Sequence, residues 1–163
     1  LARLLTRLAE AGLQFSVAIA GAPGPNPDRA LFALRETLAD RIVHFGFAPD
    51  RAAYARLLWS SGIVLSTARH EFFGVGFTEA MACGCVPLAP AAQNYPHLIP
   101  PEWHDRCLYE SEEDAAAKLA ALLEDPPPRE PFQAAAASYD WERLIPRWDA
   151  LIDDLLGSAG RIG

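Results

Sequence analysis

Five short apolar runs, at residues 15–20, 42–45, 63–66, 86–89 and 107–109, alternate along this chain with stretches whose apolar residues recur at helical spacing. Runs this short, bounded by turns, suit strands of a parallel sheet covered on both faces. Parallel strands need a crossover between them, and the helical stretches supply it. Leu1, Leu4, Leu5 and Leu8 mark a first helix that ends at Gly12, a C-cap residue. Further helices are expected at 27–40, at 49–60 with Pro49 near the first turn, at 77–83 and at 112–123. Pro126-Pro127-Pro128 then break the chain, and Asp140 is the N-cap of a last helix over about 140–156. Its Trp141, Leu144, Ile145, Trp148, Leu151, Ile152 and Leu155 form a stripe that should pack against the domain, and Pro146 should kink it. The alternation predicts an α/β fold with a doubly wound, mostly parallel, Rossmann-like sheet. With 163 residues, 51% hydrophobic and no shift in composition, residues 1–163 read as one domain.

Composition excludes several classes of function. A net charge of -7 argues against this stretch gripping a nucleic-acid backbone by itself, since such binders display a basic face. No apolar run reaches the length of a membrane span, and the opening Leu1-Ala2-Arg3-Leu4-Leu5 is no secretion signal, so a cytoplasmic location is the default. Three cysteines, Cys83 and Cys85 among them with one residue between, form neither a disulfide framework nor a zinc pattern and read as buried thiols. The four histidines are scattered, so no metal site is expected.

The chemistry concentrates between residues 70 and 87. His70 and Glu71 precede Phe72-Phe73-Gly74-Val75-Gly76-Phe77, and Glu79 follows just inside the expected helix. Gly74 and Gly76 let the backbone approach a ligand, and the unpaired N–H groups near Phe77 can meet a diphosphate. Glu71 and Glu79 then supply acceptors for hydroxyls at two ends of one ligand, which makes the stretch 73–79 a cradle for a nucleotide sugar. His70 sits at the mouth of the same loop. Phe72 and Phe73 are most simply anchors that hold the loop to the domain. Glu79 alone would be a first-turn acid placed for the helix dipole; its spacing from Glu71, Gly74 and Gly76 favours the site.

Two glutamates separated by seven residues, followed by Ala80-Met81-Ala82-Cys83-Gly84, resemble the signature of retaining glycosyltransferases of the GT-B fold, family 4. Residues 66–74, Cys83-Gly84-Cys85-Val86-Pro87-Leu88 and Tyr95-Pro96 are similar to the tRNA-queuosine alpha-mannosyltransferase-like branch. The resemblance implies a donor-binding, C-terminal half of such an enzyme, with GDP-mannose as donor and no metal or other cofactor. It implies that Glu79 holds the ribose hydroxyls and Glu71 those of the transferred sugar, with His70 beside it. Gly21 would lie near the phosphates, and Phe47, after Gly46, near the base. It also implies that a first strand, a loop bearing an Arg and a Lys for the diphosphate, and an acceptor domain that would meet tRNA all lie before Leu1. The neighbours of that strand, 15–20 and 63–66, would then lack a partner. His97 stands where the family carries Glu after Tyr-Pro. Two other readings stay open: a noncatalytic nucleotide-binding domain of the same fold, and a UDP-sugar-dependent transferase acting on lipid or polysaccharide.

Overall fold

The computed structural model describes residues 1–21 and 29–159. Strands and helices alternate in the expected order: α1 (Ala2–Glu10), β1 (Val17–Ala20), α2 (Arg29–Thr37), β2 (Ile42–Gly46), α3 (Arg51–Trp59), β3 (Ile63–Leu65), α4 (Val75–Ala82) and β4 (Val86–Pro90). After β4 come the short helices α5 (Tyr95–Leu98) and α6 (His104–Cys107), then β5 (Leu108–Tyr109), α7 (Glu112–Glu124), α8 (Glu130–Ala136) and α9 (Trp141–Ala159). The proline-rich turn after Gly21 and the expected start of the second helix at 27 lie outside the described residues. No helix among the described residues is long and apolar enough to cross a membrane.

The ends of the helices follow from local chemistry. Gly12, at φ 81, closes α1 by the paired bonds Gly12 N–H to Ala9 O and Leu13 N–H to Leu8 O, the pattern that satisfies orphan carbonyls at a glycine C-cap. Asp50 caps α3 through a 2.6 Å bond from the Ala53 amide, and Ser111 caps α7 at 3.1 Å from the Asp114 amide. Asp140 accepts from the Glu142 amide at 3.2 Å, which makes it the cap of the last helix, and that helix runs on past Pro146. The apolar stripe of α9 does not pack against the domain: Trp141, Ile145, Trp148, Leu151, Ile152 and Leu155 are all exposed, and Leu144 is the one member partly buried.

All strand pairs among the described residues are parallel, in two blocks. In the first, β1 pairs with β2, from Val17 opposite Ile42 to Ala20 opposite Gly46. In the second, β3 pairs with β4 (Ile63 opposite Val86) and β4 with β5 (Ala89 opposite Leu108). Among the described strands, β1 and β3 each pair on one side only. Two cavities lie between them. One of about 420 Å³ touches 15–18 and 60–63, at the amino ends of both strands; the other, of about 750 Å³, touches 18–21 and 63–65, at their carboxyl ends. β1 and β3 therefore run the same way on either side of a slot. Chain order proceeds in opposite directions on the two sides of it, which is the topological switch point where α/β sheets bind ligands. The core is centred on the second block, with Tyr95, Phe132, Met81, Leu88, Ile99 and Leu122 fully buried, and Leu4, Leu5 and Leu8 of α1 join it.

Candidate functional site

The larger cavity opens at the carboxyl ends of β1 and β3, and its wall brings Gly21, Phe47, Gly76 and Glu79 together. Each arrives by a different route. Gly21 follows β1 at φ 149, with its amide bonded to Gly46 O at 3.0 Å. Phe47 follows β2 and is largely exposed. Gly76 and Glu79 come from α4.

Gly74 sets where α4 begins. It is the N-cap, in the left-handed region at φ 71 and ψ 37, and a Cβ there would lie 2.9 Å from Leu98 Cδ1, so only glycine fits both the backbone and the space. The helix thus starts at Val75, two residues before the expected 77, and Glu79 lies in its second turn, not the first. The placement as a first-turn acid is corrected accordingly: the helix dipole fades within one turn. The amides of Val75, Gly76 and Phe77 have no acceptor within the helix. Phe77 contributes only that amide, because its side chain is buried and packs edge-on against Tyr95 with ring centroids 5.0 Å apart.

Glu71 is turned onto its own loop. Its Oε1 accepts from the amides of Phe72 at 3.1 Å and Gly74 at 3.0 Å, which pins the carboxylate just ahead of α4 and engages one backbone donor of the expected cradle. His70 beside it is exposed, as are Val75, Phe72 and Phe73. The two phenylalanines, 91% and 75% exposed, do not anchor the loop as expected; a loop this short, with its backbone tied inward, turns their rings to solvent. His70, Glu71, Phe73, Gly74, Val75 and Phe77 do not line the cavity wall.

Several residues at the site carried no signal in the sequence. Tyr54 of α3 donates its hydroxyl to Glu79 Oε2 at 3.1 Å and lies where a side chain at Gly76 would go, 3.4 Å from its would-be Cβ. Partial burial, with Glu79 alongside, pushes its phenol up to about 12. Arg51, at the first position of α3, is the one cation among the described residues lining the cavity. Gln93 and Asn94, in the turn after β4, bond to the loop that holds Glu71. The loop is also fixed at its root: Ser66 Oγ lies 2.6 Å from the Tyr95 hydroxyl, and Ser66 O accepts from Tyr109 at 2.9 Å. Only the rule that loops after parallel strands converge at one edge could have suggested these partners.

Of the three thiols only Cys85 lines the cavity. Cys85 and Cys107 are buried, and burial pushes each up to about 11; Cys83 is half-buried, and burial raises it as well.

Residues 1–139 match the family described as "Glycosyl transferases group 1". A tRNA-queuosine alpha-mannosyltransferase of Drosophila melanogaster is 39% identical over 98 residues, covering 60% of this chain and 26% of that protein. A GDP-mannose-dependent alpha-(1-6)-phosphatidylinositol dimannoside mannosyltransferase of Mycobacterium tuberculosis is 38% identical over 80 residues, covering 49% of this chain and 20% of that protein. The matches thus extend over about a quarter or less of these relatives' lengths.

Proposed function

The chain belongs to the glycosyl transferases group 1 family, and from that premise we propose that it is the donor-binding part of a retaining glycosyltransferase that moves mannose from GDP-mannose to queuosine-modified tRNA. The observation that carries this reading is the convergence of Gly21, Phe47, Gly76 and Glu79 on one cavity at the switch point of the sheet. The relatives support the finer part: both act as mannosyltransferases by name, one of them on queuosine in tRNA and the other with GDP-mannose.

In this reading the base lies against Phe47 and the ribose hydroxyls meet Glu79, held in place by Tyr54. The diphosphate sits over the amides of Val75, Gly76 and Phe77, where a helix start favours an anion, with Arg51 at the start of α3 lining the same cavity. Glu71, pinned through Oε1, offers its other oxygen to a hydroxyl of mannose, with His70 and Phe73 around the sugar. Transfer needs no metal: the helix start and basic side chains stabilise the departing diphosphate, and the acceptor attacks from the face on which the donor lies open. The tRNA is held by parts of the protein beyond residues 1–163, because a charge of -7 repels a phosphate backbone. Such an acceptor places the reaction in the cytoplasm. The second relative's name favours one other acceptor, a phosphatidylinositol mannoside.

Calorimetric titration of the intact protein with GDP-mannose, UDP-glucose and UDP-N-acetylglucosamine tests the donor, and labelled mannose transfer to queuosine-containing tRNA tests the acceptor. Losing a charged hydrogen-bond partner costs on the order of 1.5 to 3 kcal/mol, so Glu79→Ala should raise the Kd for GDP about tenfold or more. Glu71→Ala should chiefly lower kcat, because a sugar contact can strengthen in the transition state where a ribose contact does not. An unchanged Kd for Glu79→Ala would remove Glu79 from the site.

A further inference from the structure

Gln93 is the only residue other than glycine with a positive φ among the described residues, at 60°, and its side chain reaches back across the sheet edge. The amide bonds to the loop on both sides of His70: Nε2 donates to Arg69 O, and Oε1 accepts from the Glu71 amide at 3.1 Å. One side chain thus pairs with the loop as a neighbouring strand would, donor and acceptor together. Asn94 adds a bond from Nδ2 to Phe73 O at 3.3 Å. The loop has little else to fix it. Between Arg69 and Phe73 the side chains are exposed except that of Glu71, which is half-buried, so no apolar packing sets their position.

We propose that Gln93, seconded by Asn94, is a positioning residue of the donor site: its amide splints residues 69–71 and so fixes the Glu71 carboxylate ahead of α4. The left-handed backbone at Gln93 is what aims the side chain along the loop and not out of the turn. Tyr95, two residues on, is buried, and its hydroxyl holds Ser66, so one short segment grips both the root and the middle of the loop. Gln93 itself touches no part of the cavity where the nucleotide lies. Its effect should therefore fall on the sugar side of the site and spare the ribose side, which is held by Tyr54 and Glu79. This inference rests on the donor-site reading above.

Gln93→Asn is the decisive variant. Asn tolerates a left-handed backbone as well as Gln does, but it is one methylene too short to span Arg69 and Glu71. In the intact protein, kcat for transfer from the nucleotide sugar that titrates into the wild type should fall about tenfold, with the Kd for GDP within twofold of wild type. In a Glu71→Ala background, Gln93→Asn should add nothing, because it acts through Glu71. Wild-type kcat in Gln93→Asn, an equal loss of GDP affinity, or a full further loss on top of Glu71→Ala would each overturn the splint. An intact wild-type protein that neither binds a nucleotide diphosphate nor transfers a sugar would instead overturn the donor-site reading, and the splint with it.

Discussion

Tyr54 and Glu79 meet across 25 residues of sequence, and the pair decides how firmly one acid of the site is held. Tyr54→Phe removes only the hydroxyl, the atom that lies over Gly76, so the cost is that of one half-exposed hydrogen bond to a carboxylate. That is about 1 kcal/mol, or roughly a fivefold weaker Kd for GDP by calorimetry. The same hydroxyl gives a pH signature. Its folded-state value is raised from 10.0 to about 12, so the folded form is favoured while the phenol is protonated. That contribution is complete below pH about 10 and is lost as pH rises toward about 12; melting temperatures over this window should fall less steeply in Tyr54→Phe than in wild type. That Glu71 and Glu79 flank one helix start was legible because Glu71, Gly74, Gly76 and Glu79 keep fixed offsets along one strand-to-helix passage. Tyr54 and Gln93 were not, because a contact made by packing α3 beside α4, or by a turn after β4, leaves no local pattern.

Elements were legible in type and order, and less so in what they touch. Spacing alone placed the last helix, yet it says only that one face is apolar, not what covers that face. The expectation that α9 packs on its own domain failed for that reason. Its exposed Trp148 and Ile152 make few contacts that folding could use, so Trp148→Gln with Ile152→Gln should shift stability by no more than about 0.5 kcal/mol, or a few degrees in melting temperature. The same pair should reduce binding of an apolar dye to the protein and its tendency to associate, both of which follow exposed apolar area. A marked fall in melting temperature would show that the stripe is buried after all. α8 was missed for the opposite reason. The triple proline signalled an end, and it hid the start just after it, where Pro131 sits at a helix opening and Phe132 and Ala136, one turn apart, are both buried.

At the scale of the molecule, the described strands are parallel throughout and divided between β1 and β3. The backbone polarity of that division can be measured. Ser66 N–H donates to Leu88 O, so by the alternation of a pleated strand Val64 faces β4, while Ile63 and Leu65 present their amides to the slot. Gly21 N–H donates to Gly46 O, so Ile19 faces β2 and Ala18 and Ala20 face the slot. In hydrogen exchange, Ile63, Leu65, Ala18 and Ala20 should exchange well ahead of Val64 and Ile19. The divided sheet also bears on cooperativity. Among the described residues no ladder crosses from one block to the other, and α1, packed on both α2 and α7, is a tie between them. Apolar packing of one helix couples two bodies less tightly than a continuous ladder, so the pair β1–β2 with α2 forms a unit that can melt by itself. Under increasing denaturant its amides should lose protection before those of β4. Leu8→Ala, which thins the tie, should widen the interval between the two losses, so that a single transition midpoint no longer describes the protein.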